Sequence, residues 1–391
     1  MSEDFLTADE AKRLVDSYWE TEGTIRSAEE LLNSGAIPRL KGYVARNGKV
    51  SDSIFGGKGN YKDGTGFENP PLNAKDGTPL RLMVRTQRIS THDVQRGEIP
   101  FKDQILAMNH NHMRRMLMSV IGTSQYNVNL PDSSVVIAAE NLDQIPFENV
   151  LRAYIARSST STSLYVHYMN GKREFCGHKI PEGIFPNGPL PYVMDTPSTK
   201  SDEHDESVSP YHLFGVGICT PEQYAQIRNA SLFAFGMVHQ FLYPKGIIPV
   251  DTKTEHGTNR QGKIVSQDEI WTMDSSRFWP LDDYETQYAL FTAGKDDKLL
   301  AYLKDTQPGL MEKDYMWNDR VAMCPRSWSK EFARGFSQGD RGYTQDQAKQ
   351  IAVRYIEGIQ YLLGRRFEPD MRSHEERVVS GINTILDELA A

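Results

Sequence analysis

The chain has 391 residues, 39% of them hydrophobic and 25% charged, with a formal net charge of −8. That length allows two or three packed subdomains, and the acidic balance excludes a protein whose main affinity comes from neutralising nucleic-acid phosphates or an anionic membrane surface. Cys176, Cys219 and Cys324 are too few and too far apart for a disulfide framework or a zinc site, so a reducing, cytoplasmic setting is expected. The opening MSEDFLTADEAKRL lacks a basic stretch followed by an apolar one, and no run approaches 18 apolar residues, so neither a secretory leader nor a membrane span is expected.

Thr7 with Glu10 and Ser27 with Glu30 match the capping-box spacing, which predicts two helices over residues 7–34, ending near Gly35. Residues 43–77 are rich in glycine and polar side chains and read as a loop or a hairpin with an elaborate tip. LRLMV (80–84) and SSVVIAA (133–139) read as strands, separated by a helix through Ile105, Met108, His112, Met116 and Val120. FENVLRAYIA (147–156) fits helix or strand, with strand preferred. Residues 181–210 read as one long proline-rich polar connection, of a length usually reserved for functional or disordered loops. Thr220-Pro221-Glu222 starts a helix whose stripe of Tyr224, Ile227, Ala234, Phe235, Val238 and Leu242 runs to Pro244. IIPVDTKTEHG and KIVSQDEIW flank the turn-rich TNRQG and read as two antiparallel strands. Two helices close the chain, one through Ile351–Leu363 and one over Glu375–Ala391.

The hairpin holds the densest chemistry. On a strand, Asp251, Lys253 and Glu255 share a face, and the following strand is expected to bring Asp268 and Glu269 alongside. Two carboxylates ~4 Å apart repel by roughly 4 kcal/mol at an effective dielectric near 20, so a positive group is expected between them. Lys253, Arg277 and a hard divalent cation are the candidates. Magnesium suits one or two carboxylates completed by water and phosphate oxygens. A satisfied ion-pair network on the hairpin is the other reading.

Eight short segments, in order, carry a resemblance: NGKVSDSIF (47–55), TQRISTHDV (86–94), LDQIPFENVLRAYIARS (142–158), IPEGI (180–184), TPSTKSDEHDESVS (196–209), VDTKTEHG (250–257), QDEIWTMDSSRFW (267–279) and SKEFARGF (329–336). Their order resembles the SAICAR synthase family, the ATP-dependent phosphoribosylaminoimidazole-succinocarboxamide synthases, over most of the chain from Gly48 to Gly364. The resemblance implies an α+β fold with an N-terminal antiparallel β-rich part covering ATP (43–140), preceded by a helical extension (1–42). A larger α+β part for substrate and metal (141–340) and C-terminal helices (341–391) would follow. It also implies a ligase that joins the carboxylate of carboxyaminoimidazole ribonucleotide (CAIR) to the amine of L-aspartate, with ATP as co-substrate and magnesium as cofactor.

Residue by residue, the resemblance assigns Gly48, Lys49, Glu140 and Lys200 to ATP. It assigns Ser90, Asp93, Arg152, Ser158, Ser198, Thr199, Asp205, Lys253, Ser275 and Arg277 to substrates. Glu255 and Asp268 fall to magnesium, and Lys253, Asp268 and Arg277 to catalysis. Trp271, Phe278 and Trp279 read as walls, and His92 as a structural histidine. Three positions depart from the family pattern: Ser51 replaces a basic residue, which would pass part of the phosphate clamp to another group such as Lys58; Gln87 replaces an acidic residue; and Arg157 replaces a glycine, adding a phosphate contact or reshaping the pocket for another substrate. Rival readings are a divergent ligase on the same scaffold, a small-molecule kinase and a non-catalytic nucleotide-binding protein. No nucleic-acid or membrane partner is expected, and a homo-oligomer would use the N-terminal helices.

Overall fold

The computed structural model describes residues 4–22, 25–56, 72–158, 160, 163–200 and 205–390, so Lys58 and the acidic run at 202–204 lie outside the described residues. The chain forms two compact units, one of Met1–Gln144, His256–Met273 and Ala333–Ala391, the other of Ile145–Glu255 and Asp274–Phe332.

In the first unit, helices Ala8–Thr21 and Ala28–Asn33 both begin with the expected capping box, Thr7 with Glu10 and Ser27 with Glu30. A four-stranded antiparallel sheet follows, in the order Val44–Asn47, Ser51–Phe55, Leu80–Arg85, Val136–Glu140. Side chains alternate across it. Leu80, Leu82, Val84, Val136 and Ala138 pack with Ala28 and Leu31 and with Val378, Ile382 and Ile385 of the last helix. Met83, Ile137 and Ala139 form a separate apolar group. The helix Lys102–Leu117 is buried on every side through its first ten residues, including Lys102, Asp103, Gln104, Asn109 and His110. Its apolar stripe therefore understates its burial, and its polar side chains need internal partners. Asp103, for one, takes His374 and Arg377 of the last helix at 2.9 Å each.

The second unit is built on the strand Pro189–Asp195 and on most of the strands Asp143–Tyr154 and Ile247–Thr258, in that order. Ser276–Pro280 runs antiparallel along Ile247–Thr252, and Ser198–Thr199 pairs with Glu148 and Phe147. Ile248, Val250 and Trp279 lead the core here, with Tyr284, Phe291 and Leu299 packed on them. The helix Pro221–Leu242 begins as expected, with the Thr220 cap and proline at its first position.

Two expectations need correcting. The 181–210 connection is not one long loop, because Pro189–Asp195 is a strand. Its two prolines argued against that reading, yet it lies at the sheet's margin, where a missing amide donor is tolerated. The second arm of the charged hairpin is shorter than expected. Ile264–Ser266 pairs with His256–Thr258 and stops, leaving Asp268 and Glu269 in a loop. The strand that runs opposite Asp251 is instead Ser276–Pro280, with Arg277 as its partner residue.

Candidate active site

Strand periodicity puts Asp251, Lys253 and Glu255 on one face, opposite the core residues Ile248 and Val250. Each carries a counter-charge. Asp251 is buried and bridges two arginines: Arg152 Nη1 reaches Oδ2 at 3.1 Å, and Arg277 reaches Oδ2 through Nη2 at 3.0 Å and Oδ1 through Nε at 3.1 Å. Lys253 Nζ lies 2.7 Å from Glu148 Oε1, and Lys200 Nζ lies 2.6 Å from Glu255 Oε1. Glu148 and Arg152 stand four apart on one strand and so share a face. Ser198 Oγ is 3.4 Å from Glu148 Oε2, and Thr199 binds the amide of Glu206 at 3.1 Å.

Desolvation of the Lys253 ammonium lowers its pKa, but the carboxylates of Glu148, Glu255 and Asp205, Glu148 foremost, together outweigh it, so the net shift is upward. Burial likewise pushes Glu148 up, and Lys253, Lys200 and Ser198 outweigh it, so Glu148 titrates below its ordinary range. Arg277 is also raised, since Asp251 and Glu331 overcome its burial. The second unit thus gathers Arg152 and Arg277 around Asp251, keeps Thr199 on the Glu206 amide, and sets Ser198, Lys200, Glu255 and Asp205 about the Lys253–Glu148 pair. Ser275 adds its carbonyl, which accepts the Lys253 amide at 2.9 Å. Ser158 turns its hydroxyl to the amide of Thr160, at 3.2 Å.

Arg157 is occupied within the protein. Its guanidinium donates to the carbonyls of Lys313 at 3.1 Å and Met316 at 2.8 Å, while its own carbonyl accepts Arg277 Nη1 at 3.2 Å. Of the two roles left open for it, reshaping the walls around Arg277 fits these bonds.

Next to Thr196, whose hydroxyl accepts Arg152 Nε at 3.0 Å, lies Asp195. It accepts from Tyr224 at 2.6 Å and Arg228 at 2.8 Å and pairs with His178 at 3.2 Å. Burial pushes Asp195 up, but the bonds from His178, Tyr224 and Arg228 prevail and hold it at about 2, while Asp195 raises His178 above its ordinary 6.5. Asp195 therefore adds stability that is present above about pH 4 and lost as pH falls towards about 2. His178 adds stability that is complete below pH 6.5 and lost as pH rises through its elevated pKa. The stability difference between the native protein and His178→Asn in urea unfolding is expected to be largest between those limits and to shrink as the pH rises above the histidine range. A difference that does not vary with pH would contradict the charged pair.

In the first unit, Gly48 and Lys49 form the tight turn between the first two strands, with the Gly48 amide donating to Ser51 O at 2.9 Å. A Cβ at Gly48 would lie 2.3 Å from that oxygen, so only glycine fits. Arg88 donates to the Gly48 carbonyl at 2.9 Å and pairs with the buried Asp52, which also accepts the Ala28 amide at 2.9 Å. The turn is thereby tied to the start of the second helix. Lys49 meets Asp93 at 2.6 Å, both side chains well exposed. Such a pair is worth little, so either group can exchange its partner for a ligand. His92 and Asp93 occupy a two-residue hairpin turn with φ of 51° and 60°, and Ser90 is buried beside it. Glu140 accepts the Arg260 amide at 2.7 Å. Ser51 faces Arg85 across the sheet, and the buried Arg85, its pKa lowered by burial, is partly compensated by Glu269 and Asp268.

The family profile described as SAICAR synthetase matches residues 74–299. The chain belongs to the SAICAR synthetase family. Among curated relatives, the phosphoribosylaminoimidazole-succinocarboxamide synthase of Bacteroides fragilis is 31% identical over 314 residues, covering 78% of this chain and 89% of the relative. Among solved structures, the SAICAR synthase of Saccharomyces cerevisiae complexed with SAICAR aligns at TM-score 0.59 and 21% identity, over 84% of this chain and 97% of that one. A SAICAR synthetase in complex with ADP aligns at TM-score 0.52 and 20% identity, over 83% and 99%. The α+β SAICAR-synthetase fold expected from the sequence is therefore the fold of this chain.

Sequence reasoning did not count Glu148 or Asp251 among the candidate site residues, although both carry the ion pairs of Lys253, Arg152 and Arg277. Asp251 had a signal, standing two residues before Lys253 on the same face. Glu148 had only its four-residue spacing from Arg152.

Proposed function

We propose that this chain is an ATP-dependent ligase that joins the carboxylate of CAIR to the amine of L-aspartate, giving SAICAR, ADP and phosphate in purine biosynthesis. Family membership supports the reaction class, and the ADP-bound relative supports ATP as co-substrate. The observation that carries the residue assignment is the row Asp251, Lys253, Glu255 with its paired Arg152, Arg277, Glu148 and Lys200. All three substrates are anionic, and this row offers cations whose positions are already fixed by protein carboxylates.

A carboxylate resists attack by an amine because oxide would have to leave. Transfer of the terminal phosphoryl group to that oxygen converts it into a good leaving group, after which the aspartate amine adds and phosphate departs. Little covalent chemistry is asked of the protein; its task is positioning and charge compensation. Arg152 and Arg277, braced by Asp251, suit the carboxylate and phosphate of the ribonucleotide. Lys253 suits the phosphoryl oxygens in transfer, and Lys49, in the turn of the 43–140 part, suits the ATP phosphates. Ser198, Thr199, Lys200 and Asp205 suit L-aspartate and the nucleotide phosphates, with Ser90, Asp93, Ser158, Ser275 and Glu140 as further contacts.

Glu255 and Asp268 are the residues that would hold magnesium. By chemistry both are hard oxygen donors of the kind magnesium takes. Among the described residues no group of three or more His, Cys, Asp or Glu side chains gathers as a metal site. When bound, magnesium supplies screening of phosphate charge.

Among the described residues no helix is long and apolar enough to cross a membrane, and a cytoplasmic setting is part of the reading. The test is ADP release from ATP and magnesium with each substrate omitted in turn. Release that requires both CAIR and L-aspartate supports the ligase. Release without L-aspartate would indicate a kinase, and no release would overturn catalysis.

A further inference from the structure

The loop that carries Asp268 holds a backbone conformation its own sequence does not explain. Trp271 sits at φ 55°, a left-handed conformation that a bulky aromatic adopts only when its surroundings impose it. Its side chain is fully buried, so the strain is not relieved towards solvent. The helix Lys102–Leu117 imposes it. Asn109 Nδ2 donates to the Trp271 carbonyl at 3.1 Å, and Asn109 Oδ1 accepts the Met273 amide at 3.0 Å, so one side-chain amide brackets the strained residue on both sides.

One position along, His110 Nδ1 accepts the Ile270 amide at 3.1 Å. That bond requires Nδ1 to be unprotonated and leaves the proton on Nε2, where it is donated to Gln125 Oε1 at 3.1 Å. Burial, with Arg85 nearby, pushes the His110 pKa well below the ordinary range, in keeping with a neutral ring that acts as an acceptor. Ile270, Trp271 and Met273 are therefore each held through the backbone by one of two adjacent buried side chains of that helix.

We propose that Asn109 and His110 are positioning residues for the ligation: they hold the 268–273 loop in the conformation that presents the Asp268 carboxylate. The proposal rests on Asp268 being an active-site carboxylate. Neither residue touches substrate, and their effect passes through the loop backbone. A pair that merely stabilised the fold would lower the melting temperature and leave the kinetics of the folded fraction alone. A positioning pair changes both, since small misplacements of an active group carry large rate costs.

The test compares Asn109→Ala, His110→Leu, His110→Asn, Asp268→Asn and, as a packing control on the same helix, Leu106→Ala. Asn109→Ala and His110→Leu are expected to lower kcat at least about tenfold, to raise the half-saturating magnesium concentration, and to speed hydrogen exchange over 268–273 in the ligand-free protein. His110→Asn, whose amide oxygen can take the place of Nδ1, is expected to restore most of the loss. Leu106→Ala is expected to lower the melting temperature with the magnesium dependence unchanged. If Asp268→Asn is inactive while Asn109→Ala and His110→Leu keep native kcat and magnesium dependence, the positioning role is overturned and the site stands. An active Asp268→Asn overturns both.

Discussion

Lys253→Ala is expected to lower turnover by about 100- to 1,000-fold, the cost of removing one preorganised cation or donor from a developing oxyanion. The fold should survive, because the Lys253 side chain is 48% exposed and the strand that carries it is held by pairing along the sheet. The residue left behind is Glu148, buried and without its ammonium, and its pKa should rise in the variant. Steady-state kinetics together with circular dichroism check this: a large loss of kcat with native secondary structure is the expected pairing of results. Near-normal kcat would remove Lys253 from the catalytic set. The double variant Lys253→Ala/Glu148→Gln should be no more active than the single one, yet more stable than it, since the buried charge is gone.

Asp251→Ala is expected to act on stability as well as catalysis. Asp251 is 6% exposed and holds both Arg152 and Arg277, so its removal leaves two largely buried guanidiniums without their shared carboxylate. Breaking a buried pair by deleting one partner costs about 3–5 kcal/mol. Urea unfolding should show a loss of that order, and a change under about 1 kcal/mol would mean that the bridge behaves as a surface pair. Asp251→Asn separates the two effects. It keeps an oxygen acceptor on one side but loses the charge, so the arginines should stay near one another while their aim loosens. The KM for the ribonucleotide should then rise much more than the KM for L-aspartate. Equal rises would place the arginines on the wrong substrate.

What could be read in the sequence follows from the range of the interaction concerned. The caps at Thr7, Ser27 and Thr220 are settled within four residues, and the structure has all three. The strands 80–85 and 136–140 and the preference for strand over 147–154 also follow from local pattern. Pro189–Asp195 was missed because two prolines speak against a strand unless its place in the sheet is known. The hairpin failed for a related reason: strand periodicity placed Lys253 and Glu255 on one face, but nothing local marks Ser266 as the last paired residue or names Arg277 as the residue opposite Asp251.

The charged network was legible in most of its members, Glu148 excepted, and not in its pairings. Lys253 and Glu148 lie 105 positions apart, Arg152 and Asp251 lie 99 apart, and a cross-strand partner is fixed by register and tertiary packing, which a single sequence does not encode locally. The same holds for the 268–273 loop. Its mixture of charge and aromatic bulk pointed to a site, whereas the bracket that shapes it, Asn109 and His110, sits on a helix some 160 residues earlier. Only the oddity of polar residues in a helix buried on all sides could have drawn attention to them.

If the protein activates a carboxylate by phosphorylation and then exchanges phosphate for an amine, one carboxylate oxygen must leave with the phosphate. With CAIR labelled with ¹⁸O in its carboxylate, ATP and L-aspartate, the inorganic phosphate released should carry one ¹⁸O per turnover, since the bridging oxygen leaves with the phosphoryl group. Unlabelled phosphate, formed at the rate of ADP release, would contradict the account.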